Sequence, residues 1–143
     1  MASCRFCQIA SHANFVVFED DLSIAFLDYR PLFIGHTLLI PKAHYETLGG
    51  LPGKLLGPFF ANVQLLARAI EQGMHAEGSF VAINNRVSQS VPHLHVHIVP
   101  RRKKDGLRGF FWPRQANPGE EHMREAQIAI RTALAEIKMV KSE

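Results

Sequence analysis

The sequence predicts an α+β domain: a five-stranded antiparallel sheet carrying two helices. Three features of the chain predict it. Five short strand-like runs are joined by brief polar, glycine or proline connections. An apolar stripe at helical spacing follows Pro52, and a second such stripe lies near the end of the chain.

The elements follow in order. "NFVVFED", residues 14–20, reads as the first strand, with Asp20-Asp21 as its turn. "LSIAFLDYRP", residues 22–31, is the second, ended by Pro31, and "HTLLIP", residues 36–41, is the third, preceded by Gly35. From Pro52, Leu55, Leu56, Phe59, Phe60, Val63, Leu66, Ala67 and Ile70 recur at three- and four-residue steps. Pro52 suits the first turn of that helix and Gly73 its end. The stripe reads as core packing, not as a ligand box. "SFVAIN", residues 79–84, is the fourth strand and runs into the polar loop "NNRVSQS". "PHLHVHIVP", residues 92–100, is the fifth, bounded by prolines. Met123, Ala126, Ile130, Leu134 and Ile137 mark the second helix, roughly residues 118–139.

A chain of 143 residues, 47% hydrophobic and 20% charged, is expected to be a single domain over 1–143 with its own core. No run approaches the roughly 18 apolar residues a membrane span needs, so no membrane partner is expected. "MASCRFCQIA" lacks the basic region and apolar stretch of a secretory signal, which makes a cytoplasmic location the expectation. The net charge of +3 is local, because "RRKKDGLR" holds Arg101, Arg102, Lys103, Lys104 and Arg108. Such a cluster attracts phosphate-bearing ligands, and it suits a solvated surface loop equally well. No helix-turn-helix or RNA-binding signature accompanies it, so nucleic acid is not an expected partner.

The two cysteines, Cys4 and Cys7, are spaced C-x-x-C. In a reducing cytosol this favours metal or redox chemistry over a structural disulfide. A redox motif belongs at a strand-to-helix junction, whereas this pair stands at the terminus. Metal is the better reading, provided other residues supply further ligands.

"SQSVPHLHVHIVPRR" places His93, His95 and His97 at two-residue spacing. In a strand such residues share one face, about 7 Å apart. Leu94, Val96 and Ile98 then pack the opposite face and free the histidine face to line a site. Incidental histidines on a half-exposed strand and a pure metal site are the competing readings. Three imidazoles along a straight strand suit one zinc poorly, because Zn–N bonds are only about 2.0–2.1 Å. A neutral imidazole is also a good nucleophile towards phosphorus, and it titrates near neutrality. Asn84, Gln89 and Ser90 precede the histidines and suit phosphate oxygens. The constellation reads as a phosphate-handling site.

"HLHVHIV" fits the His-φ-His-φ-His-φ-φ signature (φ apolar) of the histidine triad, or HIT, superfamily. "CRFCQIA" and "FEDDLSIAFLDYRPLFIGHTLLIPKAH" also resemble that family's N-terminal cysteine segment and first half. The resemblance runs through nearly the whole chain and implies a HIT fold. It also implies a homodimer whose sheets join into ten continuous strands. By it, the chain is a hydrolase or transferase cleaving at the α-phosphate of a nucleoside phosphoramidate, an adenylylated compound or a dinucleoside polyphosphate. His95 would be the nucleophile that carries a nucleotidyl intermediate, and His97 would contact the phosphate or the bridging oxygen. Asp28 matches the ribose-binding acid, with Tyr29 and the apolar residues of 22–26 near the base. Asn84, Gln89 and Ser90 match phosphate-holding positions. Ser88 departs from the pattern, standing where a glycine commonly precedes the glutamine. The alternative is a nucleotide- or zinc-binding regulatory dimer with little catalysis.

Some bacterial HIT proteins with C-x-x-C termini resemble this chain and bind zinc through such a Cys₂His₂ set. The resemblance therefore implies structural zinc on Cys4, Cys7, His44 and His93, and no organic cofactor. It leaves His95 and His97 for chemistry. His12, His36, His75 and His122 read as non-catalytic, with His36 structural beside Gly35. "GLRGFFWPRQ" also resembles a stretch of bacterial members; Phe110, Phe111 and Trp112 would stack on a base or pack at the dimer interface.

Overall fold

Strands β1 (Val16–Glu19), β2 (Ser23–Leu27), β3 (Thr37–Pro41), β4 (Gly78–Ala82) and β5 (Val96–Arg101) form one sheet in the order β1-β2-β3-β5-β4. Every neighbouring pair is antiparallel, as the short connections predict. The computed structural model describes residues 4–12, 14–108 and 115–141. Residues 1–105 and 106–143 form two compact units. The second contains α3 (Glu120–Lys141), close to the helix expected over roughly 118–139. Phe110, Phe111 and Trp112 lie outside the described residues.

The two faces of the sheet bury different partners. Helix α2 (Gly53–Gly73) sets Phe59, Val63, Leu66 and Ile70 against Ala25, Leu39, Leu94, Val96 and Ile98. The alternation along "HLHVHI" therefore does point its apolar set at a helix. The opposite face is covered as well, by α1 (Arg5–His12), which the periodicity does not reveal. Its Phe6 packs with Ile24, Phe26, Leu38, Ile40 and Val91, and Ile9 flanks them. Eight residues with two inward apolar positions are too few to register a 3.6-residue period.

Every strand is shorter than the sequence suggests, and in two of them the cause is visible. β2 stops at Leu27, because the Asp28 carboxylate accepts the Arg30 N–H at 2.9 Å and turns the chain. The β5 ladder begins only at Val96, so His93 and His95 lie in the lead-in to it. The register pairs Leu39 with Val96, and extending it would set Pro41, which has no N–H, opposite Leu94. The Leu94 N–H goes instead to the Tyr45 carbonyl, at 2.6 Å.

The basic segment after β5 is a tied turn. Arg101 grips the Asp105 carboxylate at 2.7 and 3.0 Å, the Lys103 N–H donates to Glu77 at 2.9 Å, and Arg102 donates to the Met74 carbonyl. This favours the surface-loop reading of "RRKKDGLR" over a ligand site.

Gly35 sets the entry to β3. Its φ is +99°, and a Cβ there would lie 2.7 Å from Met74 Cγ. Both constraints demand glycine immediately before His36. Gly35→Ala is expected to lower stability by about 1–3 kcal/mol in urea unfolding. An unchanged midpoint would contradict this account of the turn.

Candidate active site and metal cage

His95 is 2% exposed and has one defining hydrogen bond: its Nδ1 lies 2.8 Å from the His93 carbonyl. A carbonyl only accepts, so Nδ1 carries the proton and Nε2 keeps its lone pair. This is the tautomer a nucleophile needs. The ring is flanked by Phe6 and His97, at centroid distances of 5.2 and 5.0 Å, both edge-on.

The neighbouring imidazole is set the opposite way. The Leu32 N–H donates to His36 Nδ1 at 3.0 Å, which leaves the proton of a neutral His36 on Nε2. That Nε2 lies 3.0 Å from His97 Nδ1 and 3.5 Å from Asp28 Oδ2. His97 Nδ1 therefore accepts, and its own Nε2 carries a proton. Burial pushes His97 down to about 4, helped by His95 and His36 and opposed by Asp28. Burial likewise lowers His36 against the pull of Asp28. At neutral pH the His36–His97 pair is uncharged, and His97 is a neutral donor beside His95.

His36, expected to be structural, thus belongs to the site. The missing signal was strand pairing: Leu38 stands opposite His97, which brings the start of β3 to the end of the histidine row. Asp28 stands at this same point, while Tyr29 is exposed beside it.

The loop before the histidines is braced by its own amides. Gln89 Oε1 accepts the Arg86 N–H at 2.8 Å, and its Nε2 donates to the Glu46 carbonyl at 2.6 Å. Asn85 Oδ1 accepts the Leu48 N–H at 2.9 Å. Asn84 and Ser90 are exposed. Gln89 is thus occupied in shaping the loop. Arg86 and Ser88 have φ of +67° and +58°, so Ser88, the departure from the family pattern, occupies a conformation that favours glycine.

Cys4, Cys7, His44 and His93 converge, with their ligand atoms all within 4.8 Å of one another. His93 Nδ1 lies 3.4 Å from Cys4 Sγ, 3.6 Å from Cys7 Sγ and 3.2 Å from His44 Nδ1, and Cys7 Sγ lies 3.4 Å from His44 Nδ1. A tetrahedral zinc with bonds of about 2.3 Å to sulfur and about 2.0–2.1 Å to nitrogen has S···N edges near ~3.5 Å and N···N edges near ~3.3 Å. The cage fits those dimensions. His93 also has the ligand tautomer: its Nε2–H donates to the Pro41 carbonyl at 2.8 Å, which turns the Nδ1 lone pair into the cage. Burial and the adjacent Cys4 raise the Cys7 thiol, a cost that a bound cation would remove. Asp28, His36 and His97 also cluster, but there the direct His36–His97 hydrogen bond occupies the facing nitrogens.

The depressed His97 has a consequence for stability. The unfolded chain takes up a proton near 6.5, whereas folded His97 does so only at about 4. Its contribution is therefore complete above pH 6.5 and is lost as the pH falls towards 4. Urea midpoints across this window should fall more steeply for wild type than for His97→Gln, since acid loss of the cage is common to both. Parallel curves would contradict the assignment.

The HIT domain family matches residues 10–104 of the chain. An uncharacterized HIT-like protein of Borreliella burgdorferi is 34% identical over 140 residues, which is 91% of this chain and 97% of the relative. The adenylylsulfatase HINT3 of Arabidopsis thaliana is 34% identical over 108 residues, 73% of this chain and 55% of that enzyme, so the chain spans about half its length. Among solved structures, a Zn-bound histidine triad family protein from Mycobacterium smegmatis aligns with a TM-score of 0.68 and 36% identity, covering 96% of this chain and 97% of that one. With the family match spanning most of the sheet and the histidine row, the chain belongs to the HIT domain family.

Proposed function

We propose that this chain is a nucleotide hydrolase or transferase that cleaves at the α-phosphate through a nucleotidyl-histidine intermediate on His95. The observation that carries the reading is the pair of opposed tautomers: a lone pair on His95 Nε2 beside an N–H on His97 Nε2. In the first step His95 Nε2 forms a bond to phosphorus, and the bond to the leaving group breaks. The leaving group departs with the electron pair and takes its proton from water. His97 Nε2–H donates a hydrogen bond to a phosphate or bridging oxygen without surrendering its proton. In the second step water attacks phosphorus, releases its proton to solvent, and the pair returns to Nε2.

The substrates that fit are nucleoside phosphoramidates, adenylylated compounds and dinucleoside polyphosphates; the similarity to an adenylylsulfatase favours the adenylylated class. Asp28 would hold ribose hydroxyls, and exposed Tyr29 would lie along the base. Asn84, Ser90 and the backbone of the Gln89 loop would hold phosphate oxygens. Zinc on Cys4, Cys7, His44 and His93 would be a closed structural site that cross-links the N-terminal segment to the sheet. A reducing, cytoplasmic setting keeps its thiols available. The chain would pair with a second copy, sheet beside sheet.

The second reading, a nucleotide- or zinc-binding dimer with little catalysis, is favoured by the near-complete burial of His95. A hydrolysis panel of adenosine phosphoramidate, adenylyl sulfate and diadenosine polyphosphates separates the two. His95→Ala is expected to lower kcat about a thousandfold or more while nucleotide still binds by calorimetry. Wild-type turnover without His95 would overturn the intermediate on His95, and no turnover in wild type would favour the binding module. Protein purified without chelators is expected to carry about one zinc per chain, as four closed protein ligands predict. A metal content near zero would overturn the zinc assignment. Light scattering should report about twice the 16.1 kDa chain mass.

A further inference from the structure

Phe6 stands between the two cage cysteines, one residue from Cys7 and two from Cys4. Its ring is only 5% exposed and touches three others edge-on: Phe26 at 5.7 Å, His93 at 6.0 Å and His95 at 5.2 Å. A single side chain thus contacts both a cage ligand and the imidazole assigned to attack. The hydrogen bond from Nδ1 to the His93 carbonyl anchors one atom of the His95 ring. The swing of the rest is limited by what lies on either side, which is His97 on one flank and Phe6 on the other.

Helix α1 has little of its own to hold it there. Eight residues are too few for a helix that persists in isolation, so its position depends on tertiary anchors. Those anchors include the Phe6 and Ile9 contacts with the second core cluster, and the two sulfurs facing His44 and His93.

We propose that Phe6 is a positioning residue for His95: it holds the imidazole with Nε2 aimed outward and shuts solvent from its flank. The Cys4–Cys7 cage keeps Phe6 in place. Metal in the cage is thereby coupled to the order and accessibility of the nucleophile, although it lies outside the reacting atoms. The accessibility claim stands on the ring contacts alone; only its catalytic consequence rests on the function proposed above.

The test is acylation of histidines by diethyl pyrocarbonate, mapped by mass spectrometry on the full chain, with exposed His122 as internal reference. In zinc-loaded Phe6→Ala, His95 is expected to react at least about tenfold faster than in wild type at unchanged zinc content. Phe6→Leu should retain most of the shielding. Wild type stripped by a chelator should approach the Phe6→Ala rate, and stripping Phe6→Ala should add little. Kinetics should show kcat reduced about tenfold or more in Phe6→Ala with KM little changed, and recovered largely in Phe6→Leu. Wild-type acylation of His95 in the zinc-loaded Phe6→Ala protein would overturn the positioning role. Unchanged shielding after zinc removal would overturn the coupling to the cage. If Phe6→Ala does not fold, zinc-loaded Phe6→Val, whose shorter side chain leaves part of the flank open, decides the positioning role by faster His95 acylation than wild type, and the stripped wild type decides the coupling. If His95→Ala keeps wild-type turnover, the role proposed for His95 as nucleophile fails while the acylation rates still report the shield.

Discussion

His93 Nε2–H donates to the Pro41 carbonyl at 2.8 Å in the fully buried interior beside β3, and three parts of the molecule are oriented from that bond. It leaves the Nδ1 lone pair as the group that faces Cys4, Cys7 and His44. It fixes the backbone of residue 93, whose carbonyl accepts the proton of His95 Nδ1. It also explains why the chain tolerates Pro41 at the end of β3: the position needs an acceptor there and no donor. Losing the bond would bury an unsatisfied N–H, a cost of about 1–3 kcal/mol, and would release the cage and the nucleophile together.

The same residue type does opposite work two positions apart because different backbone neighbours hold different ring nitrogens. Next to His95, a carbonyl pulls the proton to Nδ1, and the outer nitrogen is bare. Next to His97, the chain of donors runs from the Leu32 N–H to His36 and on to Nδ1, so the outer nitrogen keeps its proton. Burial prevents either His36 or His97 from resolving this by picking up a charge near neutrality. The result is a lone pair and an N–H displayed side by side where the chain enters β5, which suits attack at phosphorus and support of its oxygens.

Much of this was legible in the sequence, with limits that have physical causes. Period-two alternation identified the face shared by the histidines, and the C-x-x-C and His44 could be grouped with His93 once a family likeness supplied the set. The expectation that the histidine face lines a site did not include what packs on it, which is Phe6 and α1. A helix of eight residues with two inward apolar positions carries no readable period. The part played by His36 depends on β3 lying beside β5, and sequence neighbours do not encode non-local pairing. Gln89 reads as suited to phosphate oxygens, and its carboxamide also braces the loop, on the Arg86 N–H and the Glu46 carbonyl. A polar side chain in a loop has backbone partners within reach before any ligand arrives.

The charges near the sheet are largely committed elsewhere, and this constrains how a phosphate could be held. Lys42 pairs with Glu19 at 2.8 Å, and Arg101 with Asp105. The contacts of His95 among the described residues include no cation: they are the His97 ring, the Phe6 edge and the His93 carbonyl. A buried cation beside His95 would hold phosphate tightly in the ground state and would also depress the imidazole's nucleophilicity. Neutral donors in a dry site strengthen instead as negative charge develops on the phosphoryl oxygens, because the surrounding dielectric is low. The covering helix therefore serves the same end as the opposed tautomers. Under the hydrolase function proposed above, excluding water would let weak, well-aimed N–H groups suffice where a solvated site would need a lysine or arginine.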